Sequence, residues 1–262
     1  MDILTCFQAA PDLSSVYEED WEQISKAPAD GCFARIFDCF DETALEMALT
    51  LRDEYDSAGD YVRLRAVTLS AASDDRLYER LFALGYDSVI RLDFDAEYLC
   101  APNVKAAIIA DHVKKTGIPD LIFCGIQSGI GGSRMTGPMI AERLGLPCIG
   151  DVSRVRRAPD NELFVEISGD GVCSTGRISG KAIVLAGNAQ RGLLRTPTLK
   201  ARLAVKGKRA EVVEASAPDV FASVYPDSVR RLPLSRGRCR FIEGDMAAKA
   251  ETVLKIWKGR FE

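Results

Sequence analysis

Residues 120–138 read Asp-Leu-Ile-Phe-Cys-Gly-Ile-Gln-Ser-Gly-Ile-Gly-Gly-Ser-Arg-Met-Thr-Gly-Pro, and they gather the groups best suited to hold an anion. An apolar run, Leu121–Cys124, enters a loop carrying Gly125, Gly129, Gly131 and Gly132, and a helical pattern follows from about Arg134 to Leu144. Glycines let a backbone approach a ligand closely and take dihedral angles closed to other residues. A helix that starts at such a loop aims its unpaired N–H groups and positive dipole end at whatever lies there. Ser133 and Thr136 add hydroxyl donors, Gln127 an amide, and Arg134 a positive charge. Ligands of open α/β sheets sit at this end of the strands, so a phosphate-bearing nucleotide is the expected guest. The spacing is neither the G-x-G-x-x-G dinucleotide fingerprint nor the P-loop, which ends in Gly-Lys-Ser/Thr. Taken alone, it also fits a tight strand-to-helix turn that binds nothing.

Other chemistries find little material. The chain has one histidine, His112, so histidine-dependent triads are not supported. Its eight cysteines include no C-x-x-C pair and no zinc or iron–sulfur spacing. Several lie in apolar runs, where cysteine packs as a small hydrophobe. No catalytic residue and no metal site is therefore assigned. No apolar run approaches the roughly 18–20 residues that span a bilayer, which predicts no membrane insertion. Met1–Phe7 is too short and too acidic for a secretory signal, and a cytoplasmic location is expected.

The elements that position the loop follow from periodicity. Ile3–Phe7, Val62–Leu69, Ser88–Leu92 and Leu121–Cys124 read as strands, and Glu42–Tyr55, a stretch opened by Asp74-Asp75 and closed at Gly85, and Asn103–Lys115 read as helices between them. Strand–helix alternation predicts a mostly parallel sheet flanked by helices. Leu163–Ile167 and Ala182–Ala186 read as added or edge strands, with a turn at 168–171 between them. Beyond Gly187 the periodicity fades until an amphipathic helix within Phe241–Trp257.

Charge divides the chain differently. Residues 1–190 carry 18 basic and 30 acidic side chains; residues 191–262 carry 16 basic and 8 acidic, with seven basic and no acidic residues between Arg191 and Arg209. The boundary predicts a nucleotide-binding domain over 1–190 and a basic C-terminal extension over 191–262. Such asymmetry suits an acidic partner surface, although a merely solvated basic arm fits it too. The basic stretch lacks the interleaved aromatics of a single-strand nucleic-acid surface.

The layout D-L-I-F-C-G-x-Q, eight residues, then Thr136-Gly137-Pro138 and Ala141-Glu142-Arg143-Leu144-Gly145-Leu146-Pro147, resembles the nucleotide-binding loop of electron transfer flavoprotein beta subunits. The likeness covers the whole chain and is greatest to the branch linked to nitrogen fixation and carnitine metabolism. Ile3–Phe7 with Pro11-Asp12 resembles the opening strand and loop. Asp38–Ala48 is similar to the family's N-P-x-(D/C)-E-x-A-(I/V)-E-x-A segment, with Asp38 where Asn is common. Val67–Asp87 matches its strand, helix and L-x-x-G-x-D pattern. Pro197-Thr198-Leu199-Lys200 through Lys208 resembles its partner-docking segment. Departures are Ile126 for the usual Lys, Ile130, Gly131 and Gly132 for an acidic D-x-D centre, and Lys181 for Pro.

The resemblance implies a Rossmann-like, adenine nucleotide alpha hydrolase-like α/β fold and an electron carrier, not an enzyme. It implies a heterodimer with an alpha subunit that carries most contacts to FAD, and exchange of electrons with a flavin dehydrogenase or reductase. AMP is the nucleotide expected in the beta subunit, with a second FAD, as in bifurcating members, the alternative. The implied nucleotide contacts are Cys6, Asp38, Leu69, Gly125, Gln127, Gly129, Gly131, Gly132, Ser133, Arg134, Thr136 and Gly137, and the implied docking residue is Leu199. Cys6 and Leu69 also suit the core, and Asp38 a helix cap. A stand-alone adenine-nucleotide sensor would share the core but not need the basic extension. An adenylyl-transferring or hydrolytic enzyme would need charged groups that this loop lacks.

Overall fold

The computed structural model describes residues 1–12, 14, 34–70, 73–94, 101–129, 132–159, 162–169, 171–215 and 241–259. Strand β1 (Asp2–Cys6) leads to a small antiparallel pair, β2 (Ala9–Pro11) and β3 (Arg35–Phe37), then helix α1 (Cys39–Ser57). There follow β4 (Arg63–Leu69), α2 (Asp75–Ala83), β5 (Ser88–Asp93), α3 (Pro102–Thr116), β6 (Leu121–Gly125) and α4 (Thr136–Leu144). The chain continues through β7 (Cys148–Arg157), β8 (Leu163–Gly169), β9 (Val172–Ile178), β10 (Ala182–Ala186), α5 (Leu199–Ala204) and β11 (Glu211–Glu214). The main sheet has the order β11-β5-β4-β1-β6-β10-β7-β8-β9. Every pair from β11 to β7 is parallel, and the pairs β7–β8 and β8–β9 are antiparallel.

Side-chain alternation with a period of two divides each central strand between two apolar layers. Ile3, Leu64, Ala66, Leu121, Phe123, Ala182 and Val184 face a layer built with α1 and α2. Leu4, Val67, Leu69, Ile122, Ile183 and Leu185 face a layer built with α3 and α4. Both sheet faces are thus covered, which parallel strands require. The predicted α/β fold is what the structure shows: a large, mostly parallel sheet flanked by helices.

Three expectations change in detail. Ala182–Ala186 is not an edge strand; all its residues are buried and it lies between β6 and β7. An unbroken apolar run is the mark of a strand buried on both faces. Strands β7 and β9 escaped the periodicity because β7 carries Gly150, Asp151 and several arginines and buries only Val152 and Val155, while β9 is mostly exposed. Residues 211–214 add a parallel strand beside β5, with Glu211 opposite Ile90.

The root of the basic region is fastened to the body. Arg195 donates from Nε and its backbone N to Glu46, and from Nη1 to Asp53 at 2.6 Å. Thr43 Oγ1 donates to Gly192 O, and Arg80 Nη2 donates to Leu194 O. Glu46 is 3% exposed, and Leu194 is buried in the α1–α2 layer. The described part of residues 230–262, a separate compact unit, contains helix α6 (Met246–Lys258), which is capped by the Asp245 carboxylate accepting from Ala248 N.

Removing Arg195 leaves the Glu46 carboxylate buried without its cation. Loss of one partner from a buried pair costs about 3–5 kcal/mol, and the partial exposure of Arg195 lowers the expectation to about 2–3 kcal/mol. Urea unfolding of Arg195→Ala measures this; a change below 0.5 kcal/mol, on the order of a surface substitution, would show that the segment is not held by this pair.

Candidate functional site

Strand order reverses beside β1. From β1 the chain builds β4 and β5 on one side, then crosses to β6 on the other. The loops leaving the C-terminal ends of β1 and β6 therefore diverge, and such a switch point opens a crevice. The cleft here is lined by the ends of β1 (Cys6, Phe7, Gln8), β4 (Leu69) and β6 (Cys124–Ser128), by Asp41 and α3, and by residues 133–137 and Ile140. Its cavity volume is about 80 Å³. That is room for a small polar group such as a phosphate.

Of the residues expected at the site, Cys6, Leu69, Gly125, Gln127, Ser133, Arg134, Thr136 and Gly137 all line this cleft. Cys6 at the end of β1 and Cys124 near the end of the adjacent β6 are both buried. Hydrogen bonding to Cys6, then burial, pushes the Cys124 thiol well up, so it stays protonated. Leu69 closes the floor at the end of β4 and belongs to the α3–α4 layer. Thr136 is the first residue of α4, whose preceding residue, Met135, supplies no side-chain cap. The first-turn N–H groups of α4 have no intrahelical acceptor, and Thr136 and Gly137 present this end to the cleft.

Asp38, Gly129 and Gly132 stand outside the lining. Asp38 precedes α1 and is 4% exposed; its carboxylate accepts from Cys39 N and, at 2.8 and 3.0 Å, from Gly129 N. It caps the helix and holds the glycine loop by its middle. Gly132 has φ +49°, a left-handed conformation. Gly131 and Ile130 lie outside the described residues. Ile126, where the family has Lys, is buried in the α3–α4 layer, and its N–H donates to Ala186 O. Leu199, first residue of α5, is 71% exposed.

Sequence reasoning passed over Asp41, Gln8 and Lys105. Asp41 Oδ2 accepts from Gln8 N at 2.7 Å and Oδ1 from Gly125 N at 3.1 Å, so one carboxylate ties the loop after β1 to the loop after β6. Lys105 Nζ donates to Gln8 Oε1 at 2.7 Å. Burial pushes the Asp41 carboxyl up to about 7, with Asp38 adding to the rise and the Gln8 and Gly125 N–H groups and Lys105 opposing it. The clue in the sequence was an acid pair, Asp41-Glu42, in a first helical turn, where the helix dipole favours negative charge. Gly125 is obligatory for this seat: a Cβ there would lie 2.4 Å from Asp41 Oδ1 and 2.9 Å from the Asp41 backbone N.

Asp41 gives the site a pH signature. Its native pKa, about 7, lies above the unfolded value of 3.8. Between these values the native state binds the extra proton, so stability falls as pH rises through that window. Asp41→Asn should flatten this part of the pH–stability curve, measured as urea midpoints from pH 4.5 to 7.5; an unchanged slope would count against the assignment. Gly125→Ala should cost about 1–3 kcal/mol by overpacking, detectable in the same unfolding experiment.

The family model for the electron transfer flavoprotein domain matches residues 34–220. A relative from Escherichia coli (strain K12), provisionally named electron transfer flavoprotein subunit YgcR, is 25% identical over 266 residues, which cover 98% of this chain and 96% of the relative. The match includes α1 with its two carboxylates, the glycine loop, α4 and the rooted basic segment. This chain belongs to the electron transfer flavoprotein domain family.

Proposed function

We propose that the chain is the beta-type subunit of a heterodimeric electron transfer flavoprotein, an electron carrier that holds AMP in the cleft between the β1 and β6 loops. The observation that carries this reading is the convergence on one cleft of the uncapped start of α4, the loop from Gly125 to Ser128, Arg134, Ser133 and Thr136. That donor set fits a phosphate: backbone N–H groups at a helix N-terminus, hydroxyls and one guanidinium. The acids nearby do not oppose it directly, since Asp38 and Asp41 are turned onto backbone N–H groups. FAD, held mainly by the alpha subunit, would supply the redox chemistry. This chain's residues bind and orient, and none has a catalytic role.

Partner docking is assigned to the α5 segment. Leu193, Leu199 and Leu203 are exposed, no residue of α5 is buried, and the chain just before it is fixed to α1 through Arg195. An apolar anchor on a fixed root loses little entropy on binding. Leu199→Ala should weaken docking of the flavin dehydrogenase or reductase by about 2 kcal/mol, in the range of an interface hot spot, without altering the unfolding midpoint. Equal affinity of both forms in a titration would remove Leu199 from the interface.

The nucleotide assignment is tested by denaturing the heterodimer and identifying the released ligands. One FAD and one AMP are expected; two FAD would assign the bifurcating form instead. Thr136→Ala should weaken AMP binding by roughly 0.5–1.5 kcal/mol, and Gly132→Leu by more. One FAD without a second nucleotide, together with unaltered behaviour of Gly132→Leu, would defeat the phosphate-site reading.

A further inference from the structure

Among the described residues, two besides glycine have a left-handed backbone: Arg134, with φ 55°, and Asp151, with φ 52°. They are bonded to each other, Arg134 Nη2 donating to Asp151 Oδ1 at 3.0 Å. The left-handed region is sterically costly for a side chain as large as arginine. Such strain persists where the surroundings over-determine the backbone, as they do at ligand clamps.

Asp151 is over-determined in this way. It lies on β7 beside the irregularity where the register with β10 shifts between Val184 and Ala186. Gly187 N donates to Val152 O at 2.9 Å, and a Cβ at Gly187 would come within 3.1 Å of Asp151 Cα. The end of β10 therefore presses against the Asp151 backbone and fixes where its carboxylate stands. Arg134 closes the glycine loop two residues before α4 and lines the cleft, whereas Asp151 does not. The strained aspartate thus reaches, from outside, the guanidinium of the phosphate donor set.

We propose that Asp151 is a built-in competitor for the ligand's phosphate, which weakens the site in proportion to the charge the ligand carries. This rests on the reading of the cleft as a phosphate site. Both side chains are about half exposed, 52% for Arg134 and 48% for Asp151. An exposed pair of this kind contributes little by itself, so Arg134 can exchange its partner at small cost. The charge of Asp151 remains beside the site after the exchange and repels a phosphate dianion. It leaves an uncharged nucleoside unaffected. Asp38 and Asp41 cannot play this part, because their carboxylates hold Gly129, Gly125 and Gln8. Asp151 therefore makes the site discriminate among ligands by phosphate charge and keeps its affinity below what the donors alone would give.

Asparagine tolerates the left-handed region at least as well as aspartate, so Asp151→Asn removes the charge and keeps the backbone. Asp151→Gly, which also suits that conformation, is the second variant. Binding of AMP and of adenosine to the full chain is measured calorimetrically at low and high salt. Asp151→Asn is expected to tighten AMP roughly 3- to 10-fold at low salt, with the gain shrinking as salt screens it, and to leave adenosine unchanged. Arg134→Gln is expected to weaken AMP and leave adenosine unchanged. Unchanged or weaker AMP binding in both Asp151 variants would overturn the proposal, as would equal tightening of AMP and adenosine. If the wild-type chain and every variant fail to bind AMP, the phosphate site itself falls; wild-type binding that the Asp151 variants leave unmoved overturns the competitor alone.

Discussion

Backbone N–H groups at the open end of a parallel sheet need acceptors, and in this molecule two carboxylates at the start of one helix supply them. Where β1 and β6 part, the chain loses its ladder partners, and the donors of Gln8, Gly125 and Gly129 are left over. Asp41 takes the first two and Asp38 the third. Both carboxylates sit at the N-terminal end of α1, where the helix dipole favours their charge. The cleft keeps its shape because these acids are spent on backbone N–H groups, Asp41 within its lining and Asp38 outside it. The position of α1 over the sheet and the path of the glycine loop are consequently one problem with one solution.

That solution explains why the fold was more legible in the sequence than the site. Periodicity reports which side chains are buried, and the central strands and helices follow from it, as with Ile3–Leu4 and Leu121–Ile122 alternating between layers. It does not report which carboxylate meets which N–H across 84 or 91 positions of chain. The glycine loop was readable because its residues are contiguous. Asp41 was not, because its role depends on a contact with Gly125 that only the packed sheet creates. Strands β7 and β9 were missed for a related reason: their pairing partners hold them, and little of their own hydrophobicity does.

The basic segment shows the same dependence on distant residues. A run of seven cations without an acid suggests a free arm if sequence neighbours alone are considered. In the structure its first part is fixed by Glu46, Asp53, Thr43 and Arg80, which belong to α1 and α2. The fixed root ends near Leu194 and Arg195, and the exposed Leu199 of α5 follows within five residues. Apolar side chains left in solvent on a rigid stem differ from those on a flexible one, since the ordering cost of docking has already been met in folding.

The family's loop carries its acids in its centre, whereas this loop has Ile130, Gly131 and Gly132 there. Counting loop residues alone, the loop would look positively charged through Arg134. The folded chain brings Asp38 and Asp41 in from one side and Asp151 from the other, so the neighbourhood of the loop holds acidic groups that the loop's own sequence does not show. The two placements have different consequences. A carboxylate bonded to backbone N–H groups is neutralised by them and mainly sets geometry. A carboxylate bonded to Arg134 would, on the proposed phosphate reading, act on the ligand's charge. The part each acid plays is therefore decided by which N–H group donates its hydrogen bond, and not by its distance along the sequence from the glycine loop.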